Sequence, residues 1–156
     1  MPYVSLQEYF PEVAKQETRS ITVFPGSGSR LPPNDYGFLE MYCDEPGCDC
    51  RRVLFYVIAR SRPGVQAVIG WGWEDVDFYA RWMGSGDQTE AARLKGPALN
   101  LLSPATDLAP ALVDLVRNVL LQDSKYVERI KRHYQMFREN VERNRRRQRR
   151  RPRKRR

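Results

Sequence analysis

The chain has 156 residues, a length that suits one well-buried core and leaves little for a second. Its apolar runs are all shorter than the roughly 18 residues that a membrane-spanning helix needs. The N-terminus also lacks the basic flank and apolar stretch of a secretory signal. These features exclude a membrane-spanning protein, and we expect a soluble protein of the cytoplasm.

The charge is divided between an acidic body and a basic tail. The net charge is +8, yet residues 143–156 carry eleven of the 27 basic residues and none of the 19 acidic ones. Residues 1–142 keep 16 basic and 19 acidic residues, a net charge of −3. Because the tail has no apolar residue able to build a core, we predict a folded domain over 1–142 and a disordered arginine-rich tail over 143–156.

Short predicted elements fill the first half of the chain. Ser5 and Glu8 have the spacing of a capping box, so a helix should begin there and end or kink at Pro11. Segments rich in β-branched and aromatic residues follow at 18–24, 37–42, 52–59 and 65–73. They predict a four-stranded antiparallel meander. Gly70 and Gly72 share the outer face of the last strand, where we favour a bulge over the close approach of another backbone.

The second half is predicted to be helical. Four segments have helical spacing, at 74–83, 87–95, 107–122 and about 125–142, and each of the first two ends at a glycine. The last carries apolar residues along one face, which should therefore turn inward. The pattern predicts an α+β fold in which a four-stranded sheet is packed by C-terminal helices.

Three cysteines lie within eight residues, at Cys43, Cys48 and Cys50, between the second and third predicted strands. An odd number of thiols in a short loop cannot be fully paired as disulfides, whereas clustered thiolates can share a metal ion. His133, the single histidine, falls on the inward face of the last helix. We therefore predict a tetrahedral Cys3His zinc site that holds the hairpin tip against that helix.

The fourth metal ligand has other candidates besides the histidine. They are Asp44, Asp49, a water molecule and a ligand from another chain. A water in this position would make an open catalytic centre, so a zinc metalloenzyme is an alternative. Three thiols that bind no metal, or a cysteine nucleophile with His133 as its base, are further alternatives. No signature singles out one reactive thiol, and we predict no catalytic residue.

The tail offers eleven basic side chains to a polyanion. Arginine forms two parallel hydrogen bonds to phosphate and stacks on exposed bases, which suits RNA. Residues 145–152 resemble the arginine-rich RNA-binding segment of lentiviral transactivator proteins, and this resemblance implies RNA as the partner. A tail that only adds charge is the alternative. The predicted nucleic-acid-binding residues are Arg143, Arg145, Arg146, Arg147, Arg149, Arg150, Arg151, Arg153, Lys154, Arg155 and Arg156.

The segment 42–53, with the pattern YC-x4-CDCRRV, resembles a motif of uncharacterised bacterial proteins. This resemblance covers the body of the chain and implies metal binding without naming an activity. The sequence thus predicts a zinc-stabilised nucleic-acid-binding module, in which the tail supplies affinity for RNA or an RNA-containing assembly. The alternatives are a zinc metalloenzyme with an open site and a protein-interaction adaptor.

Overall fold

One antiparallel sheet of six strands forms the centre of the structure, a computed structural model that describes residues 3–152. The strands are β1 Tyr3–Ser5, β2 Arg19–Val23, β3 Asn34–Cys43, β4 Arg52–Ala59, β5 Arg62–Gly72 and β6 Ala98–Leu99. Their order is β1-β3-β4-β5-β6, and β2 pairs with the same edge of β3 as β1 does. The predicted α+β class and antiparallel pairing are confirmed.

The predicted number of four strands is wrong. β1 pairs with the end of β3, at Tyr3↔Cys43, and β2 pairs with its beginning, at Val23↔Asn34. Two short strands therefore share one edge of the long β3. β1 and β6 are three and two residues long, too short to show the alternation of apolar and polar side chains that identifies a strand in a sequence.

Six α-helices surround the sheet: α1 Leu6–Tyr9, α2 Pro11–Glu17, α3 Val76–Met83, α4 Gln88–Lys95, α5 Ala109–Asn118 and α6 Ser124–Arg150. The Ser5 side chain caps α1 by accepting a hydrogen bond from the Gln7 amide, and Pro11 starts α2. Gly84 ends α3 in a left-handed conformation, as predicted. No helix among residues 3–152 combines the length and the apolar character that crossing a bilayer requires.

The two faces of the sheet are covered differently. Side chains such as Phe38, Val53 and Phe55 point to the main core, which α5 and α6 complete. On the other face α3 and α4 cover only the end of the sheet near Gly72, and a Cβ atom added there would lie 1.9 Å from the hydroxyl of Tyr79. The glycine thus admits a tyrosine ring. The predicted bulge at this rim is wrong, because the register shifts between β4 and β5 lie at residues 57–59.

Helix α6 is longer than predicted. It begins after Asp123, whose side chain accepts hydrogen bonds from the amides of Lys125 and Tyr126, and it continues past Glu142 to Arg150. The predicted disorder from residue 143 is therefore replaced by helix up to Arg150. Arginine and glutamine favour helix, and positive side chains are stabilised near a helix C-terminus by the backbone dipole. Residues 153–156 of the predicted tail lie outside the described residues.

Helix α6 packs on the core with one face. Its buried side chains are Tyr126, Ile130, His133, Tyr134, Phe137 and Val141. The ring of Phe137 lies 4.9 Å from that of Tyr9 and 5.5 Å from that of Tyr42, measured between centroids. This aromatic cluster joins α6 to α1 and β3, so the position of the last helix is set by the core.

We predict that Phe137→Ala lowers the free energy of unfolding by about 3 to 5 kcal/mol, because a buried aromatic ring is lost and a cavity is left. Urea denaturation measures the change. Gln135→Ala, on the exposed side of the same helix, is the control and should change stability by less than about 0.5 kcal/mol. Equal effects of the two substitutions would contradict the packing of Phe137 in the core.

Candidate metal centre

The three cysteines come together at one end of the sheet. Cys43 is the last residue of β3, and Cys48 and Cys50 lie in the loop that leads to β4. Their sulfur atoms all lie within 4.8 Å of one another, and none forms a disulfide. Around a tetrahedral zinc ion, thiolate sulfurs would be about 3.8 Å apart, given zinc–sulfur bonds of about 2.3 Å. The three thiols can therefore bind one metal ion after a small closure.

The loop that carries the cysteines is built by its own backbone. The amide of Cys48 donates to the carbonyl of Glu45 at 3.2 Å, and Gly47 takes the left-handed conformation that this turn needs. Arg51 is also left-handed, with φ 47°, a conformation that is unfavourable for a residue with a side chain. Two hydrogen bonds from its guanidinium to Asp49, at 3.0 and 2.8 Å, help to hold it there.

Arg138 of α6 fastens the cysteine loop to the helix. Its guanidinium donates to the carbonyls of Glu45 and Cys48, at 2.8 Å each, and to the carbonyl of Cys43. One side chain thus bridges both ends of the turn. Among the described residues, its Nε is the single fully buried side-chain nitrogen or oxygen without a hydrogen-bond partner.

Two further residues of α6 contact the loop at four-residue spacing from Arg138. The hydroxyl of Tyr134 accepts a hydrogen bond from the amide of Arg51 at 3.2 Å. The carboxylate of Glu142 accepts one from the amide of Gly47 at 2.6 Å. The loop therefore lies against α6, held by hydrogen bonds from one polar stripe of the helix.

The three thiols are electrostatically different. A hydrogen bond from Cys50, the amide of Glu45 and the charge of Arg138 together outweigh burial and lower the pKa of Cys43 to about 6. Burial and the negative charge of Cys43 raise the pKa of Cys48. The pKa of Cys50 is raised by its hydrogen bond to Cys43 and by burial. One thiolate is thus shared by three sulfurs, and a metal bound by all three must displace the remaining protons.

His133 does not join the cysteines. It is fully buried, and its Nδ1 lies 2.7 Å from Glu40 while its Nε2 lies 2.7 Å from Glu17. Both ring nitrogens are therefore hydrogen-bonded to carboxylates, and neither is left for a metal. The described structure therefore does not bring His133 together with the cysteines, as the predicted Cys3His set requires. The spacing of the cysteines in the sequence could not reveal that the histidine lies between two glutamates.

The fourth metal position has no candidate in the described part of the chain. The only group of His, Cys, Asp and Glu side chains there with metal-binding spacing consists of the three cysteines. Asp44 accepts a hydrogen bond from the hydroxyl of Tyr9 at 3.3 Å, and Asp49 pairs with Arg51. Because Cys48 is only partly buried, a water molecule or a ligand from outside the chain could reach the open position.

Glu40 is a buried carboxylate that sequence reasoning missed. It occupies an inward position of β3 and accepts hydrogen bonds from the hydroxyls of Tyr42 and Tyr126 as well as contacting His133. A carboxylate on the inward face of a predicted strand needs hydrogen-bond donors or a positive partner. This requirement could have indicated that Glu40 pairs with the inward-facing His133. The partner lies 93 residues away in the chain.

The charges around His133 oppose the effect of burial. Burial alone would lower the pKa of His133, but hydrogen bonds and charges from Glu40 and Glu17 outweigh it and raise that pKa. The pKa of Glu17 is lowered by its hydrogen bond to Arg132, with smaller contributions from His133. The four groups form an ion-paired cluster that joins α2, β3 and α6.

The predicted nucleic-acid-binding residues fall into three groups. Arg143, Arg146, Arg147, Arg149 and Arg150 are exposed on α6, and Arg151 is exposed just beyond it. Arg145 is partly buried, 3.7 Å from Glu142, and its guanidinium lies next to Gly47 of the cysteine loop. Arg153, Lys154, Arg155 and Arg156 lie outside the described residues.

Comparison of the chain with known protein families, curated proteins and solved structures finds no match. Its function is therefore inferred from its residues and their geometry.

We predict that the protein purified without chelator carries about one zinc ion per chain, and that Cys50→Ser removes it because all three thiolates are needed. His133→Gln should keep the metal, since both nitrogens of His133 face carboxylates. Elemental analysis of the purified variants decides the question. Loss of zinc from a folded His133→Gln protein would restore the histidine as a ligand.

We also predict how pH changes the contribution of His133 to stability. Because its pKa is raised in the folded protein, the contribution is complete below the ordinary histidine value of about 6.5 and is lost as pH rises through the folded value. The contribution of Glu17 to stability has the opposite pH dependence. It is lost as pH falls through the lowered pKa of Glu17.

His133→Gln should therefore destabilise the protein most near pH 6, by about 3 kcal/mol or more, because it leaves Glu40 buried without a positive partner. The difference in the free energy of unfolding between the variant and the wild type should become smaller toward pH 9. Urea denaturation of both proteins across this range measures it. A difference that is constant with pH would show that folding leaves the pKa of His133 unchanged.

Proposed function

We propose that this protein binds nucleic acid through the arginine-rich end of α6, that RNA is its favoured target, and that zinc at the cysteine centre stabilises the loop beside this arm. The observation that carries the proposal is the continuity of α6. One helix packs into the core and then extends its arginines outward to Arg150.

The geometry of the arm supports phosphate binding. Arg143, Arg146, Arg147 and Arg150 are spaced so that they share one exposed face of the helix, over about 10 Å at 1.5 Å per residue. None of these four forms an ion pair with a described carboxylate. The guanidinium groups on this face are therefore available to bind the oxygens of a phosphate backbone.

The charge of the body supports a dominant role for the arm. Residues 1–142 have a net charge of −3 and would repel a phosphate backbone. RNA is favoured because arginine can stack on unpaired bases as well as bind phosphate, and RNA loops and bulges expose such bases. Duplex DNA offers phosphates but keeps its bases stacked.

The cysteine centre lies beside the part of α6 where the arginine-rich arm begins. Glu142 and Arg145 of α6 contact Gly47, in the turn between Cys43 and Cys48. A metal that holds the three sulfurs together would stiffen this turn and the adjacent part of the helix. Zinc suits a set of clustered thiolates that needs no redox change. Three unpaired thiols also suit the reducing cytoplasm, which we propose as the location.

A zinc hydrolase is the second candidate function. It is favoured by the open fourth position, since a catalytic zinc ion keeps one position for water. Turnover of an ester, peptide or nucleotide substrate that depends on zinc and is lost in Cys50→Ser would support this candidate over a purely structural metal.

We predict that changing Arg143, Arg146, Arg147 and Arg150 together to glutamine weakens RNA binding strongly, because four phosphate contacts are lost. The slope of log K against log salt for a single strand should become shallower by about 3. Fluorescence anisotropy with a labelled single-stranded RNA measures the slope, and the same method with a labelled RNA hairpin measures the loss of affinity. Duplex DNA of equal length should bind more weakly than the hairpin.

The matched control replaces four exposed arginines of the body, Arg30, Arg60, Arg81 and Arg117, by glutamine. Net charge falls by the same amount, but the slope should stay at the wild-type value. Equal losses in the two variants would show that binding follows net charge and not the arm. Binding that neither variant weakens would favour the protein-interaction adaptor.

A further inference from the structure

Arg52 is a buried cation on the face of the sheet away from the main core. It begins β4, opposite Gly72 of β5, and is only 6% exposed. Its neighbours on this face of β4 are Leu54 and Tyr56, and α4 covers it from above. An arginine guanidinium keeps its positive charge inside a protein, so burial at this level requires compensation.

Within residues 3–152, Arg52 has hydrogen-bond partners but no carboxylate partner. Nε donates to the carbonyl of Leu94 at 2.8 Å, and Nη1 donates to the hydroxyl of Tyr3 at 3.1 Å. No salt bridge within residues 3–152 includes Arg52. Nη2 has no described hydrogen-bond acceptor and is not fully enclosed. The guanidinium therefore keeps free N–H donors that face open space.

That space consists of two adjoining cavities, which share Arg52, Leu94 and Asn100. The larger has a volume of about 380 Å³ and the smaller about 160 Å³. Gly70 makes room for the guanidinium, because a Cβ atom there would lie 2.6 Å from Nη2. The larger volume is within the range of small-molecule binding sites.

The polarity of the cavities suits an anion with an apolar part. Glu90, the acidic residue of the smaller cavity, already pairs with Arg93 at 3.1 Å, so the positive charge of Arg52 is not neutralised by it. Tyr3 and Asn100 add polar groups near the cation, and Leu54 and Tyr56 add an apolar wall. The missing component of this site is a negative charge.

We propose that this site binds a small organic oxyanion, a carboxylate or a phosphate monoester, whose charged group accepts hydrogen bonds from Arg52. The apolar part of the ligand packs on Leu54 and Tyr56. The site is separate from the arginine arm. It adjoins the cysteine centre, because Tyr3 of β1 pairs with Cys43, but its lining comes from β1, β4 and the segment from α4 to Asn100 and includes none of the cysteines. Binding would supply the counter-charge that Arg52 lacks.

Benzoate and phenyl phosphate are the probes, added to the full chain at constant ionic strength set with sodium chloride. Nuclear magnetic resonance follows the amides of Gly70 and Asn100 and the Nε–H group of Arg52. Saturable shifts at these positions are expected, with a rise in melting temperature of about 2 to 5 °C at saturating ligand. The probe that binds more tightly identifies the charged group as carboxylate or phosphate.

Arg52→Met should abolish the shifts, whereas Arg60→Met, which removes an exposed arginine just beyond the same strand, should leave them unchanged. If Arg52→Met does not fold, Asn100→Asp provides the test, because it adds a repelling charge at an exposed position of the cavity wall. It should weaken binding at least tenfold. Shifts confined to residues 143–150, or shifts unchanged by these substitutions, would overturn the proposal.

Discussion

The packing of α6 across the sheet is the interaction on which the other features depend. Its buried face, centred on Phe137, is held by aromatic rings from α1, from Phe10 just after it, and from β3. A neighbouring polar stripe of the same helix binds the backbone of the cysteine loop. Because the helix is continuous, the placement of this one element sets the position of the thiols and the direction in which the arginines leave the body.

The cysteine loop is organised by the protein as well as by any metal. Arg138 donates to three backbone carbonyls of the loop, and its charge also helps to stabilise a thiolate at Cys43. These hydrogen bonds help to hold the loop in the conformation that brings the sulfurs within 4.8 Å of one another. A metal at this site would be bound by a largely pre-formed set of thiols, so less of its binding free energy would be lost to ordering the loop.

Each face of the sheet buries one charged side chain, and the two side chains differ in whether a partner of opposite charge lies beside them. On the core face, Glu40 is compensated by His133 and by two tyrosine hydroxyls. On the opposite face, Arg52 has hydrogen bonds but no described carboxylate partner. A compensated pair inside a core is a structural element, whereas an uncompensated cation beside a cavity is arranged for a ligand.

The sequence by itself determined the features that depend on local patterns. Strand-forming runs, glycine helix ends, the inward face of the last helix and the clustering of three cysteines all follow from residue types within a few positions of one another. Only the tertiary structure decided the partners of Glu40, His133 and Arg138, which lie about 90 residues from the groups they bind. It also decided that β1 and β6 complete the sheet and that α6 continues to Arg150. The physical reason is that hydrogen bonding of buried polar groups depends on which side chains packing brings together, and no local periodicity carries that information.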